Sequence, residues 1–241
     1  ASQILGGDLG SKLVHPNDHV NMGQSSNDVI PTSIHLAALL SIKEDLIPSL
    51  QFLADELNKK SVEFWPIVKT GRTHLQDATP VRLGQEFKGF AGQAEYSVQR
   101  LQRAQEALAE VALGGTAVGT GLNTHEEFSE RACKIVSEVS GVLIKETANH
   151  FQAQASLDGL VEASGELKTI AISLHKIAND IRFIASGPRA GLGEITLPEV
   201  QPGSSIMPGK INPVIAESVI QVVAQVVGND ATVTLAGQGG Y

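Results

Sequence analysis

Residues 81–112 read VRLGQEFKGFAGQAEYSVQRLQRAQEALAEVA. Apolar side chains fall at Leu83, Phe87, Phe90, Ala94, Val98, Leu101, Ala104, Leu108 and Val111, in steps of three and four. That spacing predicts one long helix with a continuous apolar stripe in near-heptad register, and such a stripe must be covered by other helices. The segment 157–184 repeats the pattern with Leu160, Leu167, Leu174, Ile177 and Ile181. A third helix is expected from about Asn27 to Leu57. Ser25, Ser26, Asn27 and Asp28 are its N-cap candidates, Pro31 suits its first turn, and Pro48 should kink or divide it. A shorter helix from Glu126 to Ser140 should stop at Gly141. Strand signals are nearly absent and aromatics make up 4% of the chain. The expected fold class is all-α, a long up-down helical bundle.

The last segment differs from these. Between Ile211 and Tyr241 only Glu217 and Asp230 are charged, and Val, Ile, Ala and Gln fill most of the rest. A helix so poor in charge on every face is normally surrounded. A chain of 241 residues can hardly enclose it together with several long striped helices, so the bundle is expected to be completed by other subunits. On these residues alone, a single helix buried inside a monomer stays open as the alternative.

Composition excludes several classes. The net charge is −8 with Lys and Arg scattered, which disfavours nucleic acid as a partner, and an anionic ligand would need local donors against that field. No apolar stretch is expected to cross a bilayer, and no charged-then-apolar leader opens the 241 residues. The one cysteine, Cys133, sits in a helical pattern as a packing residue and permits neither an internal disulfide nor a multi-cysteine metal cage.

Three loops interrupt the helices. Residues 6–24 are rich in Gly, His and Asn, residues 114–124 read GGTAVGTGLNT, and residues 187–209 hold five Gly and four Pro in 23 positions. A loop as long as the third is usually functional or disordered. It runs into GSSIMPGKINP, residues 203–213. Ser204, Ser205, Lys210 and Asn212, with helix N-terminal amides beyond Pro213, could hold a carboxylate and stabilise its enolate-like form. A flexible linker with a capping serine reads the same residues equally well. In TGRTHLQDATP, residues 70–80, His74 is expected between Thr73 and a helix that begins after Pro80, either as a structural donor or as a catalyst among polar neighbours. In HPNDHVNMGQSSNDVIPTS, residues 15–33, His15, Asp18 and His19 lie close together. Soft ligands are missing and no helical pair with a third ligand is evident, so no metal is expected. The glycine run 115–121 follows no predicted strand and is not a dinucleotide fingerprint.

Taken together, these three segments resemble the fumarase/aspartase superfamily, most closely the class II fumarate hydratases. The superfamily's loop GSSxMPxKxNP is matched without a gap at residues 203–213, and the similarity runs from LGGDLGSKLVHPNDHVN to VVGNDATVTLAGQGGY. Aspartases typically carry Gln at His74, Asp at His19 and Ala at Gly209. Argininosuccinate and adenylosuccinate lyases share Thr73–His74 but lack HPNDHVN.

The resemblance implies a lyase that interconverts fumarate and L-malate by anti addition of water, with no cofactor, as a cytoplasmic or, in a eukaryote, mitochondrial matrix homotetramer whose sites are shared between subunits. It implies Ser204 as the base taking the C3 proton of malate and His74 as the group acting on the C2 hydroxyl through a held water. Glu217 resembles the carboxylate paired with that histidine. Ser25, Ser26, Asn27, Thr73, Ser205, Lys210 and Asn212 would grip the substrate carboxylates, while His15, Asn17 and Asp18 resemble a secondary dicarboxylate site. Residues 1–241 then correspond to the family's central helical domain. The family's N-terminal domain with its Ser-Gly-Thr loop and its small C-terminal domain match nothing in these 241 residues. The alternatives are an aspartate ammonia-lyase on the same scaffold and a non-catalytic helical assembly.

Overall fold

A computed structural model of the chain describes residues 1–203 and 205–239. These are mostly helical, as expected, but they also include a hairpin and a second short strand pair. A π-helical turn at Pro16–Val20 precedes α1 (Ser26–Ser41), and another at Ile42–Leu46 precedes α2 (Ile47–Glu63). Strands β1 (Val68–Thr73) and β2 (Gln76–Arg82) follow, then α3 (Leu83–Ala109) and β3 (Glu110–Val111). The remainder is α4 (Phe128–Ser140), β4 (Lys145–Glu146), α5 (His150–Ala155), α6 (Asp158–Ile184) and α7 (Val214–Gly237).

The helix boundaries follow local chemistry. Ser25 caps α1, accepting from Asn27 N–H at 3.2 Å, while Asp28 accepts from Ser25 N–H at 2.8 Å and completes a capping box. Pro31 lies inside α1 rather than in its first turn. The expected 27–57 helix is divided at Ile42–Leu46, and Pro48 falls in the first turn of α2, where a missing N–H costs nothing. Gly141 ends α4 with φ 69°, the left-handed geometry that suits a glycine after a helix. The helix expected from Val81 starts at Leu83 because Val81 and Arg82 finish β2.

Two compact units make up the chain. One comprises Ala1–Asp45, Ala104–Ala163 and the residues from Leu235 onward, and the other Leu46–Arg103 and Ser164–Thr234. In the second unit, Ala54 and Leu57 of α2, Leu83, Phe87, Phe90 and Ala94 of α3, and Ile177 and Ile184 of α6 form one buried cluster. Phe87 meets Phe64 and Phe90 edge-on at 5.0 and 5.6 Å between ring centroids, a favoured aromatic geometry. The stripe read along α3 is therefore its buried face. Val98 alone among these is half-exposed, and Ser97 takes the buried place beside it, its hydroxyl donating to the Gln93 carbonyl. The first unit is built on α1, α4, α5 and the parallel pair β3–β4, in which Glu110 faces Lys145 and Val111 faces Glu146. The glycine run 115–121 thus does follow a two-residue strand, but the next helix begins only at Phe128, so no strand–loop–helix phosphate cradle forms.

Helix α7 is bare within this chain. Only Val223 and Asp230 are buried, and Ile215, Val222 and Leu235 stay largely exposed. Burial inside a monomer is therefore not how this chain treats the helix. By length and composition it could cross a membrane, which corrects the expectation that no stretch could. Asp230, however, is buried against α6, accepting from Ser164 at 2.8 Å and pairing with Lys168 at 2.5 Å. A paired carboxylate faces protein and not lipid, so this side of α7 is its inner side.

Candidate active site

The segment around His74 is a β-hairpin, not the approach to a helix. Thr73 pairs with Gln76, leaving His74 and Leu75 as a two-residue turn with φ 52° and 61°. A twist-matched two-residue turn demands positive φ at both positions, which usually selects Asn and Gly. His and Leu pay steric strain there, of the kind that persists where a site fixes geometry. Gly71 faces two residues of β2, Ala78 and Thr79, across a bulge, and a Cβ on it would stand 2.6 Å from the Thr79 carbonyl oxygen. Pro80 is tolerated because this ribbon has only two strands and an open edge. The tip presents His74 exposed, with no hydrogen bond to its ring among the described residues.

Ion pairs hold the base of the hairpin. Lys69, almost fully buried, donates to Glu86 at 2.7 and 2.9 Å and pairs with Glu194. Arg72 reaches the other Glu194 oxygen at 2.7 Å. Burial pushes the Glu194 carboxyl up, but the hydrogen bonds from Lys69 and Arg72 outweigh it and hold the group below the ordinary glutamate range. Glu194 lies in the Gly/Pro-rich loop, so this network joins hairpin and loop. Neither Lys69 nor Glu194 was singled out from sequence. Glu194 and Glu199 are the loop's only acids, and that was the available signal.

A cavity of about 890 Å³ opens beside the network, within the same unit. Lys210, Asn212 and Glu217 line it together with Leu75, Arg182 and Phe183. The structure thus gathers three of the sequence-predicted residues. Glu217 stands in the first turn of α7, its N–H on the Pro213 carbonyl at 3.0 Å. Lys210 and Ser205 are exposed and Asn212 is half-buried. Ser204 lies outside the described residues. Arg182, with no ion pair among the described residues, adds a cation that sequence reasoning missed. Its place in α6 carried no motif. Lys210, Arg182 and the Asn212 amide share the lining with two carboxylates, Asp180 and Glu217, and with Phe183, Ile195 and Leu197, a mixed polar and apolar surface that suits a small polar ligand with an apolar middle.

Ser25, Ser26 and Asn27 belong to the first unit, at the start of α1. Asn27 Nδ2 donates to the Ala117 carbonyl at 2.7 Å. Asp28, entirely buried, accepts from Gly114 and Thr116 N–H at 3.0 and 3.1 Å. His15, Asn17 and Asp18 occupy one turn, where His15 Nδ1 lies 3.1 Å from an Asp18 oxygen and accepts from the Asp18 N–H at 3.2 Å. His15 N–H donates to His19 Nδ1 at 2.8 Å. A second cavity, of about 220 Å³, is lined by His35, Glu106, Glu110, Asp158 and Glu162. Burial pushes the His35 imidazole below its ordinary range, and its Nδ1 donates to the Leu108 carbonyl at 2.9 Å. Four acids around a neutral ring repel an anion, so this cavity is the wrong place for one.

Known proteins share this chain's sequence and fold. The lyase family model matches residues 1–228. The mitochondrial fumarate hydratase of Rhizopus oryzae is 55% identical over 241 residues, all of this chain and 49% of that protein. The class II fumarate hydratase of Nitrosomonas europaea is 56% identical over 98% of this chain and 52% of its own length. A crystal structure of class II fumarase from Schistosoma mansoni superposes with a TM-score of 0.96 at 39% identity, covering 100% of this chain and 53% of that one. The chain spans about half the length of the relatives it matches. With a family model matched over almost its whole length, this chain belongs to the lyase family, and its likeness there is to class II fumarate hydratases.

Proposed function

We propose that this chain is the central helical domain of a fumarate hydratase, which adds water to fumarate to give L-malate and reverses the reaction. The observation that carries the reading is the cavity wall of Lys210, Asn212 and Glu217 at the junction of the GSSIMPGKINP loop with α7. Ser25, Ser26, Asn27, Thr73, Ser205, Lys210 and Asn212 grip the two substrate carboxylates. Ser204 is the base that takes the C3 proton, and Lys210 and nearby amides favour its alkoxide. His74 acts on the C2 hydroxyl through a held water, oriented by Glu217. His15, Asn17 and Asp18 form a secondary dicarboxylate site.

The working unit is a homotetramer in which α7 and the half-buried Leu160 and Leu167 of α6 pack against other copies, while Leu174 and Ile181 pack on the chain's own core cluster. The bare flanks of α7 support that arrangement. The exposed hairpin supports sites completed by a neighbouring subunit. Relatives named from bacteria and from mitochondria support a cytoplasmic or matrix location. Hydration is favoured over ammonia addition because His74, His19 and Gly209 match the hydratase pattern. The test follows the ultraviolet absorbance of fumarate with the full-length parent protein, with and without ammonium. Malate formed without ammonium is expected, and aspartate accumulating in its place would defeat the reading.

A further inference from the structure

We infer that Asp28 is a positioning residue that fixes the start of α1 against the 114–121 loop and so presents Ser25–Asn27 as a preset carboxylate grip, an inference that rests on the hydratase reading above. Asp28 is 0% exposed, and no Lys, Arg or His pairs with it among the described residues. An unpaired buried carboxylate is costly, so its stabilisation must come from hydrogen bonds. Three backbone N–H groups supply it. Ser25 donates to Oδ1 at 2.8 Å, and Gly114 and Thr116 donate to Oδ2 at 3.0 and 3.1 Å.

Only the first of these bonds is needed to cap a helix. The other two come from 86 and 88 residues away and need an unusual loop. Gly114 has φ 96° and Thr116, only 4% exposed, has φ 55°; together they aim both N–H groups at one oxygen. A Cβ on Gly114 would stand 2.4 Å from the Ser129 Cβ, so the close approach of loop and α4 there requires a glycine. The same loop orients Asn27. A carbonyl can only accept, so Ala117 fixes which end of the Asn27 amide is nitrogen and leaves its second N–H for a ligand. The glycine-rich stretch that sequence reading left without a role thus becomes the seat of the grip.

The test turns on a sign. Asp28→Asn removes a negative charge near the place of a dicarboxylate, and Coulomb attraction alone would then lower KM. Positioning demands the reverse, because the new amide opposes N–H groups with an N–H₂. In the full-length parent protein, Asp28→Asn is expected to raise KM for fumarate at least about tenfold and change kcat by less than about threefold, the pattern of lost uniform binding. Added to Asn27→Ala, it should raise KM little further, since both act through one grip. A lowered or unchanged KM, a loss confined to kcat, or full additivity overturns the inference. A second measurement needs no variant and no turnover. Hydrogen exchange of the full-length protein with saturating succinate should protect residues 25–28 and 114–117 together, and protection of the first segment alone overturns it. A full-length protein that does not hydrate fumarate would defeat the hydratase reading, while the exchange result would still decide Asp28.

Discussion

At the start of α1, Ser25 and Asp28 close a capping box and Asp28 spends its second oxygen on two loop amides, so the backbone there is held by hydrogen bonds on every side. At the hairpin tip, His74 and Leu75 turn with positive φ, and His74 has no hydrogen bond among the described residues. The first region is positioned by hydrogen bonds that converge on one buried carboxylate. The second is fixed by a strained turn above a buried ion-pair network at Lys69, Arg72 and Glu194. A segment that grips a carboxylate benefits from the first kind of support. A side chain that must meet groups brought by other elements benefits from the second, because its own ring stays uncommitted.

Four changes would break or sharpen that contrast. The largest concerns the free ring. In the full-length protein, His74→Asn should cut kcat by about a hundredfold or more. Asn favours positive φ, so calorimetry should find the melting temperature unchanged or slightly raised. Normal turnover would make His74 a turn residue only. Next comes the support beneath it. Gly71→Ala forces a Cβ against the Thr79 carbonyl and should cost about 2 kcal/mol by denaturant unfolding. A neutral result would mean that the bulge relaxes freely. At the other region, Ser25→Ala removes one bond of the capping box while Asp28 keeps its own, so the cost should be about 1 kcal/mol.

The smallest effect is a pH dependence. The folded Glu194 carboxyl lies below its ordinary value, so its stabilisation is complete above the unfolded value and fades as pH falls through the folded one. Glu194→Gln should therefore lower stability at neutral pH and flatten the loss just below the ordinary glutamate range. Equal slopes for the two proteins in that window would show that the ion pairs contribute nothing.

The same contrast explains what sequence reading reached. Capping chemistry is local, so Ser25, the stop at Gly141 and a division of the helix near Pro48 were legible from neighbours in the chain. The α3 stripe was legible because burial follows its period. The hairpin was not, because residues 70–80 show no alternation, contain Pro80 and turn on His-Leu instead of Asn-Gly. Tertiary ion pairs and a bulge override propensity there. Asp28 was visible as a cap candidate, but its loop partners lie too far along the chain for local chemistry to reveal them. Arg182 needed the cavity itself.

The central claim is that His74 and Ser204 serve one hydratase site to which different subunits contribute, and mixing tests it directly. Full-length protein carrying His74→Asn is unfolded and refolded with an equal amount carrying Ser204→Ala, each parent being inactive at every site. If a site takes its histidine from one chain and its serine from another, each is intact half the time, so about a quarter of the sites are complete and activity should return towards that level. Hybrids proven mixed by mass that remain inactive would contradict the shared site.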